Sequence, residues 1–88
     1  MRVAFKSSFV RDLEKIRNQN VRDKARQVIE LVKQADNLQD IPHIRKLRGS
    51  EHYYRIRLGD YRMGLAVDGS EVAFVRFLHR RDVYRYFP

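Results

Sequence analysis

"YYRIRLGDYRMGLAVDGSEVAFVRFL" (residues 53–78) reads as three strands joined by two tight turns. In the first, Tyr54, Ile56 and Leu58 alternate with Tyr53, Arg55 and Arg57, which is the period of a half-buried strand. Gly59–Asp60 fits a hairpin turn. In the next strand Tyr61, Met63, Leu65 and Val67 point inward, and Arg62, Gly64 and Ala66 point outward. Asp68-Gly69-Ser70 makes the second hairpin. "EVAFVRFL" (71–78) is apolar on both faces, as a central strand is; if Arg76 marks the open side, Ala73, Val75 and Phe77 are left to the core.

Upstream, "HIRKLRG" (43–49) reads as a short strand, so four strands follow one another as an antiparallel meander. "NLQDIP" is a turn, because Pro42 disfavours helix at the residue before it. Before that turn the period changes. "SSFVRDLEKIRNQ" (7–19) carries a helical stripe of Phe9, Val10, Leu13 and Ile16, with Ser7 or Ser8 placed to cap its start. "NQN" interrupts it. Asn20 then caps a second helix to about Asp36, where Val21, Ala25, Val28, Ile29, Val32 and Ala35 share a face and Leu31 lies at its edge. "MRVAFK" (1–6) alternates and reads as one more strand.

The expected architecture is therefore α+β: an N-terminal strand, an αα-hairpin, then the meander. Each helix has one apolar stripe to bury, so both belong on one face of the sheet. The other face then carries Arg55, Arg57, Arg62 and Arg76 around the small residues Gly64 and Ala66. Arginines around small side chains make a shallow basic concavity.

Eighty-eight residues suit one domain, spanning residues 1–88, with a modest core. The chain is 43% hydrophobic and 34% charged, which excludes a disordered polyelectrolyte. It has no cysteine, hence no disulfide framework and no thiolate metal site, and a reducing cytosol fits. Neither a signal-peptide h-region nor a membrane-length apolar run is present in the sequence, so a cytoplasmic location is expected. The net charge is +8, and its distribution is uneven. Residues 1–40 contain five Arg and four Lys, whereas residues 41–88 contain nine Arg and one Lys. The guanidinium fork binds phosphate in a fixed orientation, which solubility alone does not require. Nucleic acid is the leading partner class, and an acidic protein the second.

"LHRRDVYRYFP" (78–88) concentrates basic and aromatic side chains where a chain is ordinarily frayed. Following a strand directly, His79 to Tyr84 belong beside the open face, with Val83 and Phe87 as packing anchors. His43, His52 and His79 show no HxH or HxxxH spacing and have cationic neighbours, which argues against a metal site. RNA cleavage without a metal needs a base for the ribose 2′-OH, cations for the phosphorane and an acid for the departing 5′-oxygen. His79 and Tyr84 are the proton-transfer candidates, and Arg62 and Arg80 the charge stabilisers. Tyr53 and Tyr84 are also placed to stack on bases.

"KLRG" (46–49), "YYRIRLGDYRMGLAV" (53–67) and "FVRFLHRRDVYRYF" (74–87), in this order, resemble the RelE/ParE toxin superfamily on its RelE side. The resemblance covers nearly the whole chain. It implies a ribosome-dependent endoribonuclease that cuts translated mRNA without a cofactor and is held inactive by a cognate antitoxin. Operator DNA would be met only through the antitoxin complex, and no membrane is involved. By similarity Arg62 matches the catalytic arginine, Arg80 and Tyr84 the tail arginine and tyrosine, and Arg55 and Arg57 the basic strand positions. Lys46, Arg48, Arg76 and Arg81 complete the expected RNA-binding set. His79 stands where the best-known member has lysine, and the shorter tail spacing lets Arg80 and Arg81 exchange roles. A ParE-like gyrase inhibitor without RNA chemistry and a non-catalytic nucleic-acid-binding module are the alternatives on the same fold.

Overall fold

The computed structural model describes residues 1–88. Strand β1 (Arg2–Phe5) leads into helices α1 (Ser7–Glu14) and α2 (Gln19–Gln34). A 3₁₀ turn at Leu38–Asp40 follows, then β2 (Ile44–Lys46), β3 (Tyr53–Leu58), β4 (Tyr61–Asp68), β5 (Glu71–His79) and the short helix α3 (Val83–Tyr86). The strands form one sheet in the order β1-β5-β4-β3-β2. The meander β2 to β5 is antiparallel as the alternation requires, whereas β1 joins the far side of β5 in parallel, Val3 opposite Val72 and Phe5 opposite Phe74. The sheet is therefore mixed. No helix is long and apolar enough to cross a membrane.

Both long helices cover one face, over a core that includes Phe9, Ala25, Val32, Ile56, Met63, Leu65, Val72, Phe74 and Phe77. Their ends differ from the sequence reading. Asn18, not Asn20, caps α2, its side chain accepting from the backbone N–H of Asn20 (2.9 Å) and Val21 (3.3 Å). No side chain caps α1, whose N-cap position is Lys6. The Ser8 hydroxyl instead donates to the Val75 carbonyl at 2.6 Å. Val10, read as part of the α1 stripe, lies on the exposed side. Arg22 of α2 donates to the carbonyls of Leu13 and Ile16, satisfying the open C-terminus of α1 and fixing the hairpin. At the end of α2 the Met1 ammonium donates to the carbonyls of Val32, Lys33 and Ala35, where a positive charge also meets the negative end of the helix dipole.

One irregularity decides which side chains of β5 face the core. Gly64 pairs with Arg76 but Leu65 pairs with Phe74, so Val75 is an extra residue, a β-bulge. The bulge inverts the alternation upstream of it. Val72, Phe74 and Phe77 are the buried residues of this strand, and Ala73 and Val75, expected inside with Phe77, are not. Ser8 satisfies the carbonyl of the bulged residue, so the helix that covers β5 also holds its bulge.

Candidate functional site

Cross-strand pairing sets out the open face in rows. Arg45 of β2, Arg55 of β3, Gly64 of β4 and Arg76 of β5 are opposite one another in one row, and Arg57, Arg62 and Leu78 form the next. The face is basic, as the hairpin parities require.

The tail closes over this face. Val83 is fully buried and Phe87 is 3% exposed, so both anchors expected from the sequence are seated. Phe87 lies directly on Gly64. A Cβ added to that glycine would be 2.7 Å from the Phe87 ring, closer than carbon atoms approach. Tyr53 meets the same ring edge-on, with centroids 5.5 Å apart. The glycine is thus required by the tail, not by the strand. Between the two anchors the turn of α3 carries Tyr84 out to 67% exposure.

Arg62 is the centre of the cluster. Its Nη1 donates to the carbonyls of Gly59 and Tyr61, both at 2.8 Å, which folds the guanidinium against the β3–β4 hairpin. Desolvation lowers its pKa below the usual arginine value, and the charges of Arg55, Arg57 and Arg80 lower it further, with Tyr84 acting in the opposite sense. Arginine remains protonated at neutral pH. Burial is thus the larger cause, and the repulsion among the gathered cations is the part that an anion on this face would relieve.

The other expected residues divide. The Arg80 backbone N–H donates to the Asp60 carbonyl at 2.7 Å, and its exposed side chain has Nε 3.9 Å from the Asp60 carboxylate. Arg76 stands opposite Gly64, but its guanidinium is occupied. Nε and Nη2 donate to the Asp12 carboxylate at 2.7 and 3.1 Å, and its charge lies 6.0 Å from the Tyr86 ring centroid. The same carboxylate accepts the Phe77 N–H at 3.0 Å. Asp12, 8% exposed, thereby closes the edge of β5 where β1 has ended. The hydrogen bond to Asp12 raises the Arg76 pKa, so Arg76 is a structural cation held beneath the tail.

His79 does not join Arg62. It pairs with Tyr61, and Arg62 pairs with Leu78; adjacent positions on a strand face opposite ways. Its ring meets Tyr61 edge-on, and Nδ1 accepts from the Arg81 N–H at 3.2 Å. Arg81 is exposed, with Nε 3.4 Å from the same nitrogen. Lys46 pairs with Tyr54, whose row faces the core side, and its ammonium is 3.7 Å from Glu51. Arg48 lies exposed in the turn after β2. Sequence reasoning weighed His43 only as a metal ligand, and missed Arg45 and Asp12. A three-residue strand shows too little alternation to assign Arg45 a face. Asp12 sits on a helix surface that reads as solvated until the β5 edge is placed beside it.

A mixed five-stranded sheet with two helices on one face, and clustered arginines beneath a latched tail on the other, defines a class: a small α+β protein with one helix-covered and one basic, open sheet face. Residues 3–84 match the family profile described as the ParE toxin of type II toxin–antitoxin systems. The chain is 39% identical over 89 residues to Toxin RelE3 of Methanocaldococcus jannaschii, covering all of both chains. Among solved structures it is similar to the toxin in the RelB-RelE antitoxin-toxin complex from Methanococcus jannaschii, with TM-score 0.80, 37% identity and coverage of 97% of this chain and 99% of that one. The archaeal RelE-RelB complex from Pyrococcus horikoshii shares the fold at TM-score 0.74 and 20% identity, over 93% and 97% of the two chains. The chain belongs to the RelE/ParE toxin superfamily, on its RelE side.

Proposed function

We propose that residues 1–88 form one toxin domain that cuts translated mRNA on the ribosome, in the cytoplasm, and is neutralised by a cognate antitoxin. The observation that carries this reading is the gathering of Arg55, Arg57, Arg62, Arg80 and Tyr84 on one face beneath an ordered tail. In the proposed reaction a base removes the proton of a ribose 2′-OH, and the oxygen attacks the adjacent phosphorus. The P–O5′ bond breaks, an acid protonates the leaving 5′-oxygen, and a 2′,3′-cyclic phosphate remains. Arg62 and Arg80 stabilise the charge that develops on the phosphorane. Arg55 and Arg57 hold the strand. Tyr84 is the proton-transfer group on this face, which supports it over His79 on the other. The donor set is made of guanidinium and phenol groups, which supports chemistry without a metal.

The antitoxin is proposed from the RelB-RelE complex at 37% identity. Operator DNA is then reached only through that complex. Single-turnover cleavage on programmed ribosomes tests the reading. Loss of one such preorganised donor costs about 10²–10³ in rate, so Arg62→Ala should fall by that factor while ribosome binding persists. Cleavage at the parental rate would refute the assignment. A ParE-like gyrase-inhibiting toxin without RNA chemistry is the second reading, kept because the matching family profile is described as a ParE toxin. Brief expression separates the two, since one produces new mRNA ends and the other DNA breaks.

A further inference from the structure

Between β2 and β3, on the far side of β3 from Arg62, the structure has a small pocket of about 180 Å³ lined by His43, Ile44, Arg45, Arg55 and Arg57. Four of these five side chains are basic or imidazole, and none is acidic. The ion pairs of the protein join Lys33–Glu30, Lys46–Glu51, Arg76–Asp12 and Arg80–Asp60, so all three arginines of the pocket lack a carboxylate partner. Arg45 and Arg55 are directly opposite across the strand pair. Like charges in that position are unfavourable, and nothing in the fold compensates them.

His43 shapes the pocket. Its backbone takes a positive φ of 62°, a region a histidine seldom occupies. Its carbonyl accepts the Arg57 N–H at 3.1 Å, and its Nδ1 lies 3.3 Å from Arg57 Nη2. A guanidinium only donates, so Nδ1 accepts and the ring proton is on Nε2. The imidazole thus turns the Arg57 fork towards the pocket. At roughly 30 Å³ per water, the space holds about six waters. It is large enough for one tetrahedral anion with its remaining hydration, and its lining of guanidinium and imidazole groups favours an anion over an uncharged base.

We infer that His43, Arg45, Arg55 and Arg57 form a second phosphate subsite, which takes a backbone phosphodiester next to the one held by Arg62. Three guanidiniums on two strands surround a tetrahedral group with several acceptor oxygens better than a planar carboxylate, which a single fork already satisfies. Strand spacing of about 4.8 Å puts β2 roughly 10 Å from β4, so the two sites are side by side along one sheet face. Arg55 and Arg57 adjoin both. This subsite deepens the reading of the face as an RNA-cleaving site and rests on it for the identity of the strand.

Binding without cleavage provides the test. The probes are inorganic phosphate, titrated against the arginine Nε–H signals by NMR, and a single-stranded deoxyoligonucleotide, which lacks the 2′-OH and is not cut. Arg45→Gln should weaken phosphate binding roughly tenfold or more, and should reduce the log–log salt slope for the oligonucleotide by about 0.7, the value of one single-strand phosphate contact. Arg11→Gln removes the same charge from the exposed side of α1 and should leave both unchanged. If the two variants behave alike, the pocket is only part of a diffuse field and the proposal is wrong. If Arg45→Gln weakens phosphate but not the oligonucleotide, the site takes free phosphate and the backbone assignment is overturned. An effect confined to an acidic peptide overturns the phosphate assignment itself. These measurements do not depend on catalysis, so failure of the nuclease reading would appear separately, as absence of cleavage with phosphate binding intact.

Discussion

Replacing Gly64 with alanine should release the tail while leaving the sheet intact. The added Cβ would lie 2.7 Å from Cδ1 and Cγ of Phe87 and 2.8 Å from Cδ2. Gly64 sits in the middle of β4, hydrogen-bonded between β3 and β5, whereas Phe87 is held by a four-residue helix. The ring therefore moves, and the strand does not. Expelling a buried phenylalanine forfeits about 1.5–3 kcal/mol, which shifts tail docking by roughly 10- to 150-fold. Hydrogen exchange reads this directly. The amides of Arg85, Tyr86 and Phe87, bonded to Asp82 and Val83 carbonyls, should lose protection by that factor, and the amides of β4 and β5 should not. Global melting should fall by no more than about 8–16 °C, the equivalent of about 2 kcal/mol in a chain of this size. Cleavage should fall with docking, because Tyr84 travels with the tail, whereas Arg80 stays tied to Asp60. The double variant Gly64→Ala/Phe87→Ala should be less impaired than the sum of its parts, since the ring that clashes is gone. Additive losses, or tail amides protected as in the parent, would refute the latch.

Tyr84→Phe keeps the ring and removes the hydroxyl. It should lower single-turnover cleavage by about 10² or more, whereas His79→Gln, altered on the opposite face, should remain near parental; the reverse pattern would exchange their roles. Asp12→Ala leaves Arg76 unpaired and the Phe77 N–H unsatisfied, and should lower the free energy of denaturant unfolding by about 2–3 kcal/mol. Because Asp12 raises Arg76 above the ordinary arginine value, the guanidinium's share of that stability is present below this value and lost only beyond it, and raising the pH to about 10 should not remove it. Truncation after Arg81 removes Val83, Tyr84 and Phe87 and should abolish growth arrest; a shortened chain that folds and remains toxic would show the tail to be dispensable.

Local periodicity was enough for much of this protein. The change from a 3.6-residue to a 2-residue period separates the helical hairpin from the meander, and unbroken alternation in β3 and β4 puts Arg55, Arg57 and Arg62 on one face. Val83 and Phe87 were legible as anchors because an apolar side chain in a basic tail has little other use. What depends on pairing was not legible. The bulge at Val75 inverts β5 through a register that β4 and Ser8 impose from elsewhere in the chain. Arg76 looks free until Asp12, 64 residues away, reaches it. His79 and Arg80 are neighbours in sequence, yet strand geometry gives His79 to Tyr61, while the charge of Arg80 reaches Arg62. Arg45 enters the basic row only because β2 pairs with β3 in one particular register. Alternation is a property of a few consecutive residues, so the sequence carries it; which face a bulged or very short strand presents depends on long-range hydrogen bonds, and only the folded chain makes those.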